Sequence, residues 1–107
     1  MDVDYAFFQN LAQEISELLT DSIISRTIYS DDQIKVVLFG FAQGQELSEH
    51  TASMPALLYF VSGEANLKLG EEQKTAQAGT WVHMQANLAH SVYANTQTIM
   101  LLILLRS

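Results

Sequence analysis

Apolar residues recur in short runs over most of the chain, with turn-forming residues between them. From residue 23 onward these runs have the length and spacing of β-strands, and within 65–69 apolar and polar positions alternate strictly. The segments predicted as strands are 23–29, 34–42, 57–61, 65–69, 80–84, 90–94 and 98–105. No helical pattern separates them, which disfavours a parallel α/β sheet. Short apolar segments with frequent turn signals between them predict an all-β sandwich or barrel.

Only the N-terminal part of the chain has helical periodicity. Its apolar residues recur at steps of three and four, and polar residues fill the positions between them. The residues of the apolar stripe are Phe7, Phe8, Leu11, Ile15, Leu18 and Leu19. We therefore expect an amphipathic helix over 5–19 that covers an apolar surface. This divides the chain into a helical segment, 1–22, and a β-barrel domain, 23–107.

Several predicted strands are apolar on both faces, notably over 34–42 and 99–105. One face of such a strand lines the barrel interior, and the other also needs cover from water. A single helix is small against that much strand surface, so we expect a homodimer. The alternative is a monomer in which the helix suffices.

Charge and composition exclude several classes of function. The chain has 107 residues, a net charge of −7 and no cysteine, and its isoelectric point is near 4.6. Acidity argues against nucleic-acid and anionic-membrane partners, and the lack of cysteine excludes disulfides and thiolate chemistry. The first residues lack a signal-peptide pattern, and the longest apolar run, 99–105, is too short to span a bilayer. We expect a cytoplasmic protein.

Two of the three histidines, His50 and His90, lie in glycine-bounded segments, 44–63 and 79–95. These segments resemble the two motifs of the cupin superfamily. Gly44, His50 and Gly63 match the first motif, in which glycine, histidine, a second histidine, glutamate and glycine follow at fixed spacing. Gly79 and His90 match the second. The stretch 48–52 is similar to small, single-domain bacterial cupins, and the resemblance covers residues 24–105.

The resemblance implies a fold and a metal site. The fold is a double-stranded β-helix, or jelly roll, with His50 and His90 pointing into the barrel. A typical cupin binds Fe, Mn, Ni or Zn through three histidines and one glutamate. Here Ala52 and Ala56 occupy the positions of the second histidine and the glutamate. His50 and His90 are therefore an incomplete metal set, and any divalent transition metal would need further ligands.

The substitutions also predict an apolar pocket. Small side chains at two ligand positions widen the cavity, and alternation turns its other wall residues inward. The predicted pocket consists of His50, His90, Ala52, Ala56, Leu58, Phe60, Val82 and Met84. Mostly apolar walls with a few polar groups are typical of small-molecule sites. The same alternation turns Tyr59, Trp81 and His83 outward.

Two alternatives for these residues stay open. His50 and His90 could be ordinary interior histidines, each hydrogen-bonded to a neighbour. Glu46 lies four residues before His50, on the same alternating face, and is a candidate replacement ligand.

Three functions fit the sequence, in this order. The first is a binding protein that holds a small organic ligand between His50 and His90. The second is a metal-dependent enzyme of the dioxygenase, isomerase or decarboxylase type, in which both histidines are ligands. The third is a structural or regulatory module that acts through its dimer surface. The sequence names neither a substrate nor catalytic residues.

Overall fold

The computed structural model describes residues 4–15 and 17–106, and almost all of the secondary structure is β. One short 3-10 helix, Leu11–Glu14, precedes the strands. The strands are β1 (Ile23–Ser30), β2 (Ile34–Phe41), β3 (Glu46–His50), β4 (Ala56–Ser62), β5 (Glu64–Leu69), β6 (Glu72–Gln77), β7 (Trp81–Met84), β8 (His90–Ala94) and β9 (Thr98–Leu105). Within the described ranges, no helix has the length and hydropathy to cross a membrane.

The strands form two antiparallel sheets that enclose one core. The five-stranded sheet has the order β1-β2-β9-β4-β7, and the four-stranded sheet has the order β3-β8-β5-β6. Consecutive strands are thus distributed over both sheets, as in a jelly roll. The predicted double-stranded β-helix is confirmed.

The predicted strand faces are also confirmed. Leu58 and Phe60 are 2% and 0% exposed and belong to the core, whereas Tyr59 between them is 41% exposed. On β7, Met84 is buried and Trp81 is 62% exposed. Side chains on β4 and β7 therefore divide between the interior and the outer face as alternation requires.

A short N-terminal helix is present, but the extent predicted for it, 5–19, is wrong. Of the described residues in this range only Leu11–Glu14 are helical, and Ile15 ends this turn with extended dihedral angles, φ −107° and ψ 100°. The chain instead lies along the outer face of β2, where a Cβ on Gly40 would be 3.0 Å from Cγ2 of Ile15. An extended chain advances about twice as far per residue as a helix, so it covers more of the sheet. Phe7, which the helix would have buried, is 74% exposed.

Two strands have no counterpart among the segments predicted from the sequence. β3 carries no buried residue, and β6 carries one, Ala76. Both are edge strands of the four-stranded sheet. Their side chains are mainly polar, so neither produces an apolar run.

Candidate functional site

The structure brings His50 and His90 side by side. β3 pairs antiparallel with β8, and in that register His50 lies directly opposite His90. The ring centroids are 4.2 Å apart and the rings are inclined by 55°. His90 is 7% exposed, whereas His50 is exposed. The pair therefore lies at the boundary between the barrel interior and solvent. We term this end of the barrel, where β3 ends and β8 begins, the histidine end.

A β-bulge in β3 creates this juxtaposition. Leu47 lies opposite Val92 and His50 opposite His90, so β3 uses three steps where β8 uses two. The extra residue returns His50 to the inward face shared by Leu47. Glu46 lies opposite the outward Tyr93 and is exposed. The expectation that Glu46 shares a face with His50 is therefore wrong, because the bulge breaks the alternation between them.

Both rings are held by the same local hydrogen bond. Nδ1 of His50 is 2.8 Å from the carbonyl oxygen of Ser48, and Nδ1 of His90 is 2.8 Å from that of Leu88. A carbonyl oxygen can only accept, so each Nδ1 carries the hydrogen. In the neutral rings each Nε2 then has a free lone pair. Among the described residues neither Nε2 has a hydrogen-bond partner.

A turn between β7 and β8 links the two motif segments. The backbone N–H of Asn87 donates to the carbonyl of Ala52 over 2.7 Å, and Leu88 N–H donates to Gln85 over 3.3 Å. Asn87 has a φ of +70°. This left-handed conformation favours glycine, and asparagine is among the few residues that tolerate it. Asparagine is thus suited to the backbone conformation of this turn.

The backbone conformation at the motif glycines explains why glycine occupies these positions. Gly44, Gly63 and Gly79 have φ values of +85°, +90° and +95°. Residues with a Cβ rarely adopt such angles. The glycine matches therefore reflect three backbone reversals.

The predicted wall residues lie in one interior. Across β4 and β7, Ala56 pairs with Met84 and Leu58 with Val82. Ala56, Leu58, Phe60 and Met84 are at most 3% exposed and join one core cluster, against which Val82 packs. Ala52 is half-buried. Their contact with a ligand stays a prediction.

Two leucines beside the histidines were absent from the predicted pocket. Leu69 on β5 lies opposite His90, and Leu47 on β3 is on the same inward face as His50. Both are partly buried and pack on the core. Strand alternation from Leu67 predicts that Leu69 points inward. Its pairing with His90 could be predicted only if the order of strands in the sheet were known.

The donor set does not fit the metal site of a typical cupin. No group of three histidine, cysteine or acidic side chains within metal-binding distance occurs in the described part of the chain. The nearby carboxylate of Glu49 lies 3.5 Å from the ammonium of Lys68, with which it forms a surface ion pair. Two imidazoles supply neither the ligand number nor the negative charge that closes a divalent-metal site.

The sequence matches the family described as "Cupin domain" over residues 37–105. Among solved structures, a conserved Streptococcus pyogenes protein of unknown function is 26% identical, with 98% of this chain and 91% of that chain covered and a TM-score of 0.84. A cupin 2 conserved barrel domain protein from Leptotrichia buccalis is 26% identical over 88% of this chain and 46% of that chain, with a TM-score of 0.79.

A cupin superfamily protein from Desulfitobacterium hafniense is 21% identical over 88% of this chain and 86% of that chain, with a TM-score of 0.81. That likeness concerns the fold. No curated protein matches the sequence.

Proposed function

Since the chain belongs to the cupin family, we propose that it binds a small organic molecule at the histidine end of its barrel. The observation that carries the proposal is the pair of Nδ1 contacts to backbone carbonyls, which leaves two Nε2 acceptors on adjacent rings. Two fixed acceptors beside an apolar interior are suited to orienting a ligand.

The acceptors define the ligand's chemistry. Each neutral Nε2 accepts one hydrogen bond, so the ligand needs hydroxyl or N–H donors spaced to reach both rings. Leu47 and Leu69 flank the rings and favour an apolar part on the same molecule. An aromatic or aliphatic compound with two neighbouring donor groups meets both requirements.

A thermal-shift screen tests the proposal. The panel contains phenols, catechols, hydroxy acids, sugars and purine bases, measured with the unaltered protein, His50→Ala, His90→Ala and the control His83→Ala. His83 is exposed on β7, in the other sheet. We expect stabilising compounds to lose their effect in the first two variants and keep it in the third. A screen without hits, or hits that persist in both variants, contradicts the proposal.

A metal-dependent enzyme is the second candidate, and one observation favours it. Metal-binding histidines usually donate their second ring N–H to a carbonyl or carboxylate, as both rings do here. Inductively coupled plasma mass spectrometry on protein purified without a histidine tag decides between the candidates. Stoichiometric Fe, Mn, Ni or Zn that disappears in the His50→Ala/His90→Ala variant would favour the enzyme. Metal-free protein would favour the organic ligand.

We also propose that two copies pair through the outer face of the five-stranded sheet, as the homodimer expected from the sequence. Tyr59 lies opposite Trp81 on this face, and Leu101 lies beside Tyr59 on β9. Tyr59 and Trp81 are 41% and 62% exposed. Exposed aromatic residues on an apolar sheet are typical of interface centres. The third function, a structural or regulatory module, depends on this surface.

A further inference from the structure

A cleft lies at the opposite end of the barrel from the histidines. It has a volume of about 540 Å³ and opens beside the turn at Gln43 and Gly44. Gly44 precedes β3, whereas His50 ends it. Six extended residues span about 20 Å, so the two sites are well separated.

Polar side chains from three separate segments converge on this cleft. Thr20 and Asp21 come from the segment before β1, Gln43 from the turn after β2, and Gln97 from the turn before β9. No side-chain hydrogen bond within the described ranges engages these four groups. Leu18 and Ala42 supply an apolar wall. The cleft thus combines unengaged acceptors with a surface for an alkyl group.

Backbone hydrogen bonds fix the walls of the cleft. Ala42 N–H donates to the carbonyl of Ser22 over 2.9 Å, and Gly44 N–H donates to that of Ala94 over 2.8 Å. Asp21 has a left-handed φ of +59°. Residues other than glycine rarely adopt this conformation. Here it turns the chain at the edge of the cleft.

We propose that this cleft binds a small organic cation, an alkylammonium with at least two hydrogen-bond donors. The carboxylate of Asp21 would pair with the ammonium, the amide oxygens of Gln43 and Gln97 would accept further hydrogen bonds, and the alkyl stem would lie on Leu18. This site is independent of the ligand proposed for the histidine end.

Charge selects a cation over an anion. Among the described residues that line the cleft, Asp21 is the single charged one, and none is a lysine or an arginine. The whole chain carries a net charge of −7. Its field therefore raises the local concentration of cations and repels anions.

An NMR titration with putrescine tests the proposal, with 1,4-butanediol as the neutral probe of equal length. Asp21→Asn removes the charge but keeps a residue that tolerates a left-handed backbone. Asp32→Asn makes the same charge change in the β1–β2 turn, where Asp32 is exposed. His50→Ala shows whether the histidine end takes part.

For putrescine we expect saturable shifts of the Gln43 and Gln97 side-chain amides. Loss of a charge-assisted hydrogen bond in Asp21→Asn should weaken binding about tenfold or more. Asp32→Asn and His50→Ala should bind like the unaltered protein, and butanediol should bind at least about tenfold more weakly. Absence of saturation at millimolar putrescine, equal weakening by Asp32→Asn, or equal affinity for butanediol would overturn the proposal.

Discussion

Gly63 and Gly79 share a backbone conformation but differ in their surroundings. Their φ values are +90° and +95°. A Cβ on Gly63 would meet the Gln97 carbonyl oxygen and lie 2.6 Å from Cα of Thr98, whereas a Cβ on Gly79 would meet nothing within 4 Å. Backbone atoms cannot move aside as a flexible side chain can. At Gly63 substitution therefore meets both steric overlap and backbone strain, and at Gly79 strain alone.

Gly63→Ala and Gly79→Ala separate these two contributions. We expect Gly79→Ala to lower the free energy of unfolding by about 1–2 kcal/mol, the cost of a left-handed residue with a Cβ. Gly63→Ala should lower it by more than about 4 kcal/mol or prevent folding. Urea unfolding followed by circular dichroism measures both. Equal losses of unfolding free energy in the two variants would contradict the close contact between Thr98 and Gly63.

The β1–β2 turn contains a carboxylate, Asp31, that accepts hydrogen bonds from one hydroxyl and two backbone N–H groups. The hydroxyl of Tyr29 donates to Oδ2 of Asp31 over 2.7 Å, and the N–H groups of Gln33 and Ile34 donate to Oδ1. The Tyr29 hydrogen bond, followed by those of Ile34 and Gln33, lowers the pKa of Asp31 from its ordinary 3.8. The ionised form is thus favoured in the folded protein.

Replacing Tyr29 by phenylalanine should raise the pKa of Asp31 toward 3.8, because the hydrogen bond with the largest effect is removed. A depressed pKa stabilises the folded state above the ordinary pKa of the carboxyl and loses that contribution as pH falls through the lowered value. The part of the stability difference between the two proteins that comes from the lowered Asp31 pKa should therefore disappear in acid. NMR titration of the Asp31 carboxyl carbon, with Tyr59→Phe as control, measures the shift. An unchanged Asp31 pKa in Tyr29→Phe would contradict the assignment.

The resemblance of two segments to the cupin motifs predicted the histidine pair. It implied that His50 and His90 point into one barrel, and the structure puts them opposite each other on β3 and β8. The prediction from strand alternation that Glu46 shares a face with His50 failed, because a bulge between Leu47 and His50 shifts the alternation by one residue. Nothing in the local sequence marks that bulge, since its position depends on how β3 pairs with β8.

At the scale of elements, the N-terminal segment shows where periodicity misleads. Apolar residues at intervals of three and four are also compatible with an extended chain that crosses a sheet, provided that some of these residues remain exposed to solvent. Ile15 contacts Gly40 of β2, whereas Phe7 is 74% exposed. A helix would have buried both on one face. Contact with the sheet decides the conformation, and helix propensity alone is a weak term.

Ile15→Ala and Phe7→Ala distinguish the two conformations. In the structure Ile15 is partly buried, so its truncation should lower the free energy of unfolding by about 1–2 kcal/mol, below the range of fully buried sites. Phe7→Ala should change it by less than about 0.5 kcal/mol, as expected for an exposed residue. An equally large loss in both variants would indicate the amphipathic helix instead. Thermal and urea unfolding supply the values.

The sequence predicted the strands in which one face is buried and the other is more exposed. Ser62 apart, β4 alternates between buried and more exposed residues, and its apolar run was visible. β6, in contrast, buries only Ala76. It is a strand because its backbone pairs with β5 over its whole length. Hydrogen-bonded pairing to a distant strand leaves no local pattern, so polar edge strands escape a search for apolar periodicity.

For the whole molecule, the two sheets differ in their outer faces. The outward residues of the four-stranded sheet include Glu46, Asn66 and Lys68. The five-stranded sheet presents Tyr59, Trp81 and the β9 residues instead, and the N-terminal segment covers part of it. An apolar outer face on one sheet alone predicts one contact surface and hence a dimer with twofold symmetry.

Matched tyrosine variants test that dimer. Tyr59 and Tyr93 are each 41% exposed, on the five-stranded and four-stranded sheets respectively. Tyr59→Glu buries a carboxylate in the proposed interface and should shift the protein to monomers, because unpaired buried charge is strongly unfavourable. Tyr93→Glu should leave the dimer intact.

Analytical ultracentrifugation gives the state of each protein, and the single tryptophan, Trp81, reports on the surface itself. Dilution of the unaltered protein through its dissociation should shift Trp81 emission to longer wavelength as the ring becomes solvated, and Tyr59→Glu should show the long-wavelength emission at every concentration. A monomer at all concentrations would remove the dimer and, with it, the regulatory function that depends on this face. Dissociation by Tyr93→Glu alone would move the interface to the four-stranded sheet, leaving the exposed pair of Tyr59 and Trp81 to be explained by another partner.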